Sequence, residues 1–234
     1  MAMHHVENNM PDDSSSTLSY QRDSFGSFIL YYLNFLILGF RDTFLYLFSR
    51  KKKKMYTRLT YGEFSFFLFC TAMCFVNFKA TLLIFIIPFL FARFVMMIGN
   101  WAQHAFVDRK DPENNYTNAI TCINTNYNKA CWNDGYHVTH HIRPSIHYTE
   151  MPIEFMKQKD KMAEERSLVF EGIHYLHIFV FLVTKRYDKL AKHLVNINNV
   201  FSSGEEAIAL MKERTKKFKL ADLHQISSLQ PQYS

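Results

Sequence analysis

Across residues 64–101 only Lys79 and Arg93 are charged: FSFFLFCTAMCFVNF, then Lys79 and Ala80, then TLLIFIIPFLFARFVMMIGNW. A bilayer core of about 30 Å is crossed by about 20 apolar helical residues. At about 1.5 Å per residue, one straight helix over the whole run overshoots that width. The pattern therefore predicts a helical hairpin, with Lys79 snorkelling back to the far headgroup layer. Residues 28–49, FILYYLNFLILGFRDTFLYLFS, form a third apolar segment, but Arg41 and Asp42 sit near its middle. Such a pair favours an interfacial or re-entrant helix over a full crossing. Between that segment and the hairpin lie Arg50, Lys51, Lys52, Lys53, Lys54 and Arg58. Cytosolic loops carry an excess of Lys and Arg, so this run marks the cytosolic face.

Residues 102–234 are polar enough for a cap outside the membrane, and 234 residues do not stretch to several independent domains. Residues 1–24 have no apolar stretch of the kind a secretory leader needs. The four cysteines form no C-x-x-C and no disulfide scaffold: Cys70 and Cys74 read as small core residues, and Cys122 and Cys131 as reduced thiols, with a pairing between them the alternative in an oxidising compartment. A net charge of +6 comes with no nucleic-acid recognition motif, so no nucleic-acid partner is expected. Residues 108–135 are rich in Asn and Asp and predict loops with short turns. Helical patterning returns near Pro152. Residues 167–184 predict a partly buried or interfacial helix, and residues 205–220 an amphipathic basic helix.

The histidines carry the chemistry. Of the 11, His4 and His5 stand at the start, His104 follows the hairpin, and His137, His140 and His141 form H-V-T-H-H. Spacing of i, i+3, i+4 puts three imidazoles on one helix face. Imidazole suits Fe, Zn, Cu and Ni, so the donor type alone does not choose the metal. His174 and His177 predict hydrogen-bonded core positions, and His193 and His224 surface ones.

These motifs resemble those of the integral-membrane fatty acid desaturases. MHHVENN at residues 3–9 is similar to the end of that family's second histidine box. Asn100-Trp-Ala-Gln-His104 is similar to its N-x-x-x-H element, and WNDGY followed by HVTHH to its final H-x-x-H-H box. The first histidine of the second box would fall on Met1, and the first box has no counterpart, so the chain reads as N-terminally truncated, with about a third of the family's iron ligands missing.

The resemblance implies an all-α membrane protein, a transmembrane helical hairpin with a cytosolic histidine-rich helical cap. Residues 1–27 become a cytosolic segment with the remnant of the second box, and residues 28–58 an interfacial or re-entrant helix plus the basic run. Residues 64–101 are the transmembrane hairpin, residues 102–200 the cap with the final box, and residues 201–234 an amphipathic C-terminal tail. It implies two non-haem irons held by His4, His5, His104, His137, His140 and His141, with Asn100 acting through water and no catalytic residue beyond the ligands. Glu7, Asp134, Glu150 and His147 are the expected supporting groups. Asp12, Asp13 and Asp108 read at least as well as turn formers or surface charges. The implied reaction is O2-dependent desaturation of a long-chain acyl-CoA or acyl lipid. Its electrons would come from a cytochrome b5 or ferredoxin type donor, in the endoplasmic reticulum or, alternatively, a plastid membrane. The competing readings are a related hydroxylase and a non-catalytic membrane protein.

Overall fold

The computed structural model describes residues 2–229; Met1 and residues 230–234, the end of the expected tail, lie outside the described residues, as does the side chain of His224. The chain is mostly helical. Helix α1 (Ala2–Glu7) carries the histidine doublet, and a tight loop through Asn8 and Asn9, both with positive φ, leads to residues 10–23. Helix α2 (Phe25–Ser49) starts at Ser24, whose hydroxyl accepts the Ser27 N–H and so satisfies a free donor of the first turn. Helix α3 (Lys53–Thr81) runs to a break at Asn77, where φ is −157° and ψ is 98°. The Asn77 side chain accepts the Ala80 N–H at 3.0 Å and so caps the returning helix. A π-helical turn, Leu82–Ile86, precedes helix α4 (Ile87–Gln103). Pro88 stands just after that turn; lacking an N–H and crowding the carbonyl before it, it accounts for the widened turn.

Contacts across Asn77 pair Phe66 with Phe89 (ring centroids 4.9 Å), Phe69 with Phe85 (5.2 Å) and Glu63 with Arg93 (2.6 Å). Residue numbers falling on one side as they rise on the other are what two antiparallel stretches produce. The reversal comes at Asn77, two residues before the Lys79–Ala80 break expected from charge. Two helical stretches, Phe25–Ser49 and Lys53–Gln103, are long and apolar enough to cross a membrane by length and composition. Their outward faces are aromatic and aliphatic, with Phe75 88% exposed.

Helix α2 does not leave the N-terminal segment. Tyr31 donates its hydroxyl to the Ser15 carbonyl at 3.0 Å. Thr43 and Ser14 hydroxyls lie 3.4 Å apart, and Arg50 meets Glu7 at 2.9 Å. Contacts with residues 7–15 thus recur from the second turn of α2 to just past its last.

The cap follows: α5 (Asn115–Asn118), β1 (Thr121–Ile123), α6 (Asn126–Ala130), α7 (His137–Ile142), α8 (Met151–Glu164), β2 (Val169–Glu171), α9 (Tyr175–Val183), α10 (Tyr187–His193), α11 (Gly204–Arg214) and α12 (Leu220–Leu229). Strands β1 and β2 pair in parallel, Thr121 opposite Val169 and Ile123 opposite Glu171. This small sheet departs from the all-α expectation. The stretch 167–184 divides into β2 and α9, joined at Gly172 with φ of 73°, and is not one helix. His174 and His177 form a capping box at the start of α9 and are not core residues. The expected basic helix stops at Arg214.

Trp101 organises the main core. Fully buried, it packs on Phe28 and Tyr31 of α2, and its indole N–H donates to the Arg22 carbonyl at 2.9 Å. Arg22 is itself fully buried and donates to the carbonyls of Ala105, Thr17, Arg214 and Lys216. One guanidinium so ties the N-terminal segment, the chain after α4 and the end of α11 together.

Candidate metal centre

Three distant parts of the sequence bring six histidines to one place. Helix α1 supplies His4 and His5, His104 ends α4, and α7 supplies His137, His140 and His141. One ligand atom each from His4, His104, His137 and His141 falls within 4.8 Å of the others. His5 and His140 stand beside this quartet, with their Nε2 atoms 3.5 Å apart and the His5 ring 5.8 Å from those of His4 and His141.

The local fold explains the convergence. Trp132 and Asn133 both adopt left-handed backbone (φ 46° and 57°), turning the chain into α7. Gly135 then passes so close to its neighbours that a Cβ there would lie 2.2 Å from Asn128 Oδ1 and 2.4 Å from the Cys122 carbonyl. Only glycine permits that approach, which fixes where α7 begins. Across the site, Thr17 donates its hydroxyl to the His104 carbonyl at 2.9 Å and pins the end of α4 to the N-terminal segment.

Two rings have assigned tautomers. His4 Nδ1 lies 2.6 Å from Asp13 Oδ2, and His104 Nδ1 lies 2.9 Å from the Asn118 carbonyl and 2.8 Å from its Oδ1. Asn118 Nδ2 is engaged by the carbonyls of Asn8 and Pro112, so its Oδ1 faces His104. These partners only accept, so each Nδ1 carries the proton and each Nε2 presents a lone pair. The two Nε2 atoms nevertheless face one another at 3.2 Å. Two lone pairs repel at that separation unless a cation stands between them. The Nε2 atoms of His137 and His141 also meet, at 3.0 Å. The Nδ1 atoms of His5, His137 and His140 are buried without a protein partner. An orphaned, acceptor-rich donor set of this kind fits metal ions.

Electrostatics agrees. Burial, followed by the neighbouring rings, pushes His104 down to about 3 and His5 to about 4. Burial and the adjacent imidazoles carry His137 and His141 well below the ordinary histidine value. Burial also lowers His140, against the pull of Asp134. These five rings are therefore neutral near pH 7, as metal ligation requires. Burial alone would raise the Asp13 carboxyl; hydrogen bonds from His4 and Ser15 outweigh it and hold Asp13 below the usual carboxylate range.

The other expected residues fall in different places. Asn100 Nδ2 donates to the Ser15 carbonyl at 2.9 Å and to the Tyr31 hydroxyl at 2.7 Å. Glu7 is buried, but its partners are Tyr46 and Arg50, so it fastens α1 to α2. Asp134 accepts from Tyr127 at 2.9 Å and faces His140; burial raises its carboxyl above the ordinary value. His147 and Glu150 are exposed after α7, His147 bonding Thr149 at 2.8 Å, and neither is brought to the cluster. Asp13, weighed in the sequence mainly as a turn former, is the carboxylate that holds His4. Asn118 had no distinguishing signal in its Asn-rich surroundings.

Below the histidines opens a cavity of about 470 Å³, within the size range of small-ligand sites. His4, His5, His137 and His140 line it, with Asn100, Gln103 and Asp134. Phe35 and Leu47 of α2, Met55 of α3 and Met96 of α4 add apolar wall.

A family model described as fatty acid desaturase matches residues 2–171 of the chain. No curated protein and no solved structure matches it.

Proposed function

The chain belongs to the fatty acid desaturase family, and from that premise we propose that it uses O2 to desaturate a long-chain fatty acyl substrate at a pair of histidine-held irons. The observation that carries the reading is the set of six converging imidazoles, with Nε2 atoms facing one another at 3.0 and 3.2 Å, beside a largely apolar cavity. In this reading His4, His104, His137 and His141 hold one iron, His5 and His140 serve the second, and Asn100 acts through water. Bound iron and O2 supply the oxidising power that an unactivated C–H bond demands.

The protein's own residues position and shield. Asp13 and Asn118 fix the tautomers of His4 and His104, leaving each Nε2 free to bind metal. Glu7, through Arg50 and Tyr46, keeps α1 in place, and Asp134 braces the side of His140. Phe35, Leu47, Met55 and Met96 give an alkyl chain a dry wall beside the cluster.

The membrane arrangement belongs to the same proposal. Residues 64–101 form the transmembrane hairpin, with Lys79 at the far headgroups, and residues 28–58 lie in the interface. The recurring contacts of α2 with residues 7–15 support this, because a helix held to the cap at both ends is not directed across the bilayer. The histidines, residues 102–200 and the tail at 201–234 then lie on the cytosolic side, in the endoplasmic reticulum or, alternatively, a plastid membrane. A cytochrome b5 or ferredoxin type protein delivers the electrons.

The test is to express the protein with saturated acyl-CoA and acyl-lipid pools, then measure bound metal and analyse the products. About two irons per chain and a new double bond uphold the proposal. A hydroxylated product assigns the chain to the related hydroxylases, and absence of both iron and product rejects the enzyme reading. Cysteine accessibility at positions 7 and 110 is expected on the same face; opposite faces refute the single site.

A further inference from the structure

One position on the cavity wall has no side chain, in a place where the helix would be better served by one. Helix α4 lines the cavity with Val95, Met96 and Met97 and then with Gly99, Asn100 and Gln103. Glycine is the poorest ordinary residue in a helix interior. Nothing in the packing calls for it here: a Cβ on Gly99 would have no atom within 4 Å. Gly99 shares the cavity lining with His5 and His140 and with the apolar side chains of Phe35, Leu47 and Met55.

We infer that Gly99 is a specificity-determining residue: the missing side chain leaves room in the cavity wall for an unbranched alkyl chain to pass close to the α4 backbone beside the histidines. Glycine is used where a ligand must come close to the backbone, and that accounts for a helix-weakening residue with open space beside it. A Cβ at this position meets no neighbour, so a larger side chain takes up cavity space that the alkyl chain would use. Gly62 offers the matched contrast. It also sits in a helix with nothing within 4 Å of its Cβ, but it is exposed on α3 and does not line the cavity.

This inference rests on the acyl reading above, and its experiment separates the two. Tritiated palmitoyl-CoA and, in a second arm, a tritiated palmitoyl phospholipid are bound to the detergent-purified protein. Metal content and melting temperature are measured on the same samples. Gly99→Leu is expected to weaken whichever ligand the unaltered protein binds by about tenfold or more, with metal content unchanged, while Gly62→Leu binds as the unaltered protein does. Gly99→Ala, one methyl larger than the original, is expected to fall between them and decides the matter should Gly99→Leu fail to hold metal. Palmitoyl ligand bound equally by the unaltered protein and both Gly99 variants overturns this inference alone. No binding of either ligand to the unaltered protein overturns the inference together with the acyl reading.

Discussion

Asp13 and Asp12 are adjacent and chemically identical, yet the structure gives them opposite weight. Asp13 is buried and accepts from His4 Nδ1 at 2.6 Å, from the Ser15 N–H at 2.8 Å and from its hydroxyl at 2.7 Å. The Asp12 side chain is half exposed, with Arg50 3.7 Å away. Replacing Asp13 by Asn keeps the shape but removes the charge, and turns one acceptor into a donor that must face another donor. A hydrogen bond to a charged group contributes about 1.5–3 kcal/mol. Loss of a group that orients a metal-binding histidine typically costs about 10–100-fold in metal affinity, or about 1.4–2.7 kcal/mol. The two routes agree, so Asp13→Asn is expected to bind iron about 10–100-fold more weakly in a competition titration against a chelator. Asp12→Asn is expected within about twofold of the unaltered protein, as suits a surface ion pair. Equal affinity for Asp13→Asn and the unaltered chain, or equal loss in both variants, refutes the argument that the buried carboxylate sets the His4 tautomer.

His140→Ala should abolish retention of one metal equivalent, whereas His193→Ala, at the end of α10 and away from the cluster, should leave metal content unchanged by elemental analysis. Gly135→Ala forces a methyl to within 2.2 Å of Asn128 Oδ1 and should destabilise by about 1–3 kcal/mol, read as a lower melting temperature. Arg22→Met leaves several buried carbonyls without a donor, at about 1–3 kcal/mol each before relaxation, and should be among the most damaging single changes in a thermal melt. His5 and His104, depressed to about 4 and about 3, bind protons more readily unfolded than folded. The metal-free fold should therefore keep its full stability above about pH 6.5 and lose it progressively as pH falls toward 3–4, a trend that melting temperature against pH will show and a flat profile will contradict.

Legibility followed the range of the interaction. The H-V-T-H-H spacing is a one-helix property, and α7 presents its histidines as the local repeat requires. Long apolar runs likewise announce themselves, because length and composition suffice to find them. Asp13 was opaque for the opposite reason: local sequence does not say which of two neighbouring carboxylates turns inward, and the partner that decides it is nine residues away on α1. Strands β1 and β2 were invisible because three residues are too few to establish an alternating pattern, and their pairing joins positions 121 and 169. The reversal at Asn77 was displaced to Lys79 because charge reports depth in a membrane, whereas chain reversal depends on which side chain can cap the new helix. Glu7 was read as a histidine partner from proximity in sequence; helix geometry turns it toward α2 instead.

The widened turn at Leu82–Ile86 acts as a phase adjuster for everything after it. A π-helical turn accommodates one residue more than the α-helical ladder, and one residue corresponds to about 100° of rotation about the axis. His104 ends the same continuous helix, about 27 Å further on. Removing one residue from that apolar stretch would swing Met96–Gln103 and His104 by more than a quarter of a revolution. A deletion among apolar side chains far from the cluster would then dismantle the histidine quartet while leaving every histidine in the sequence.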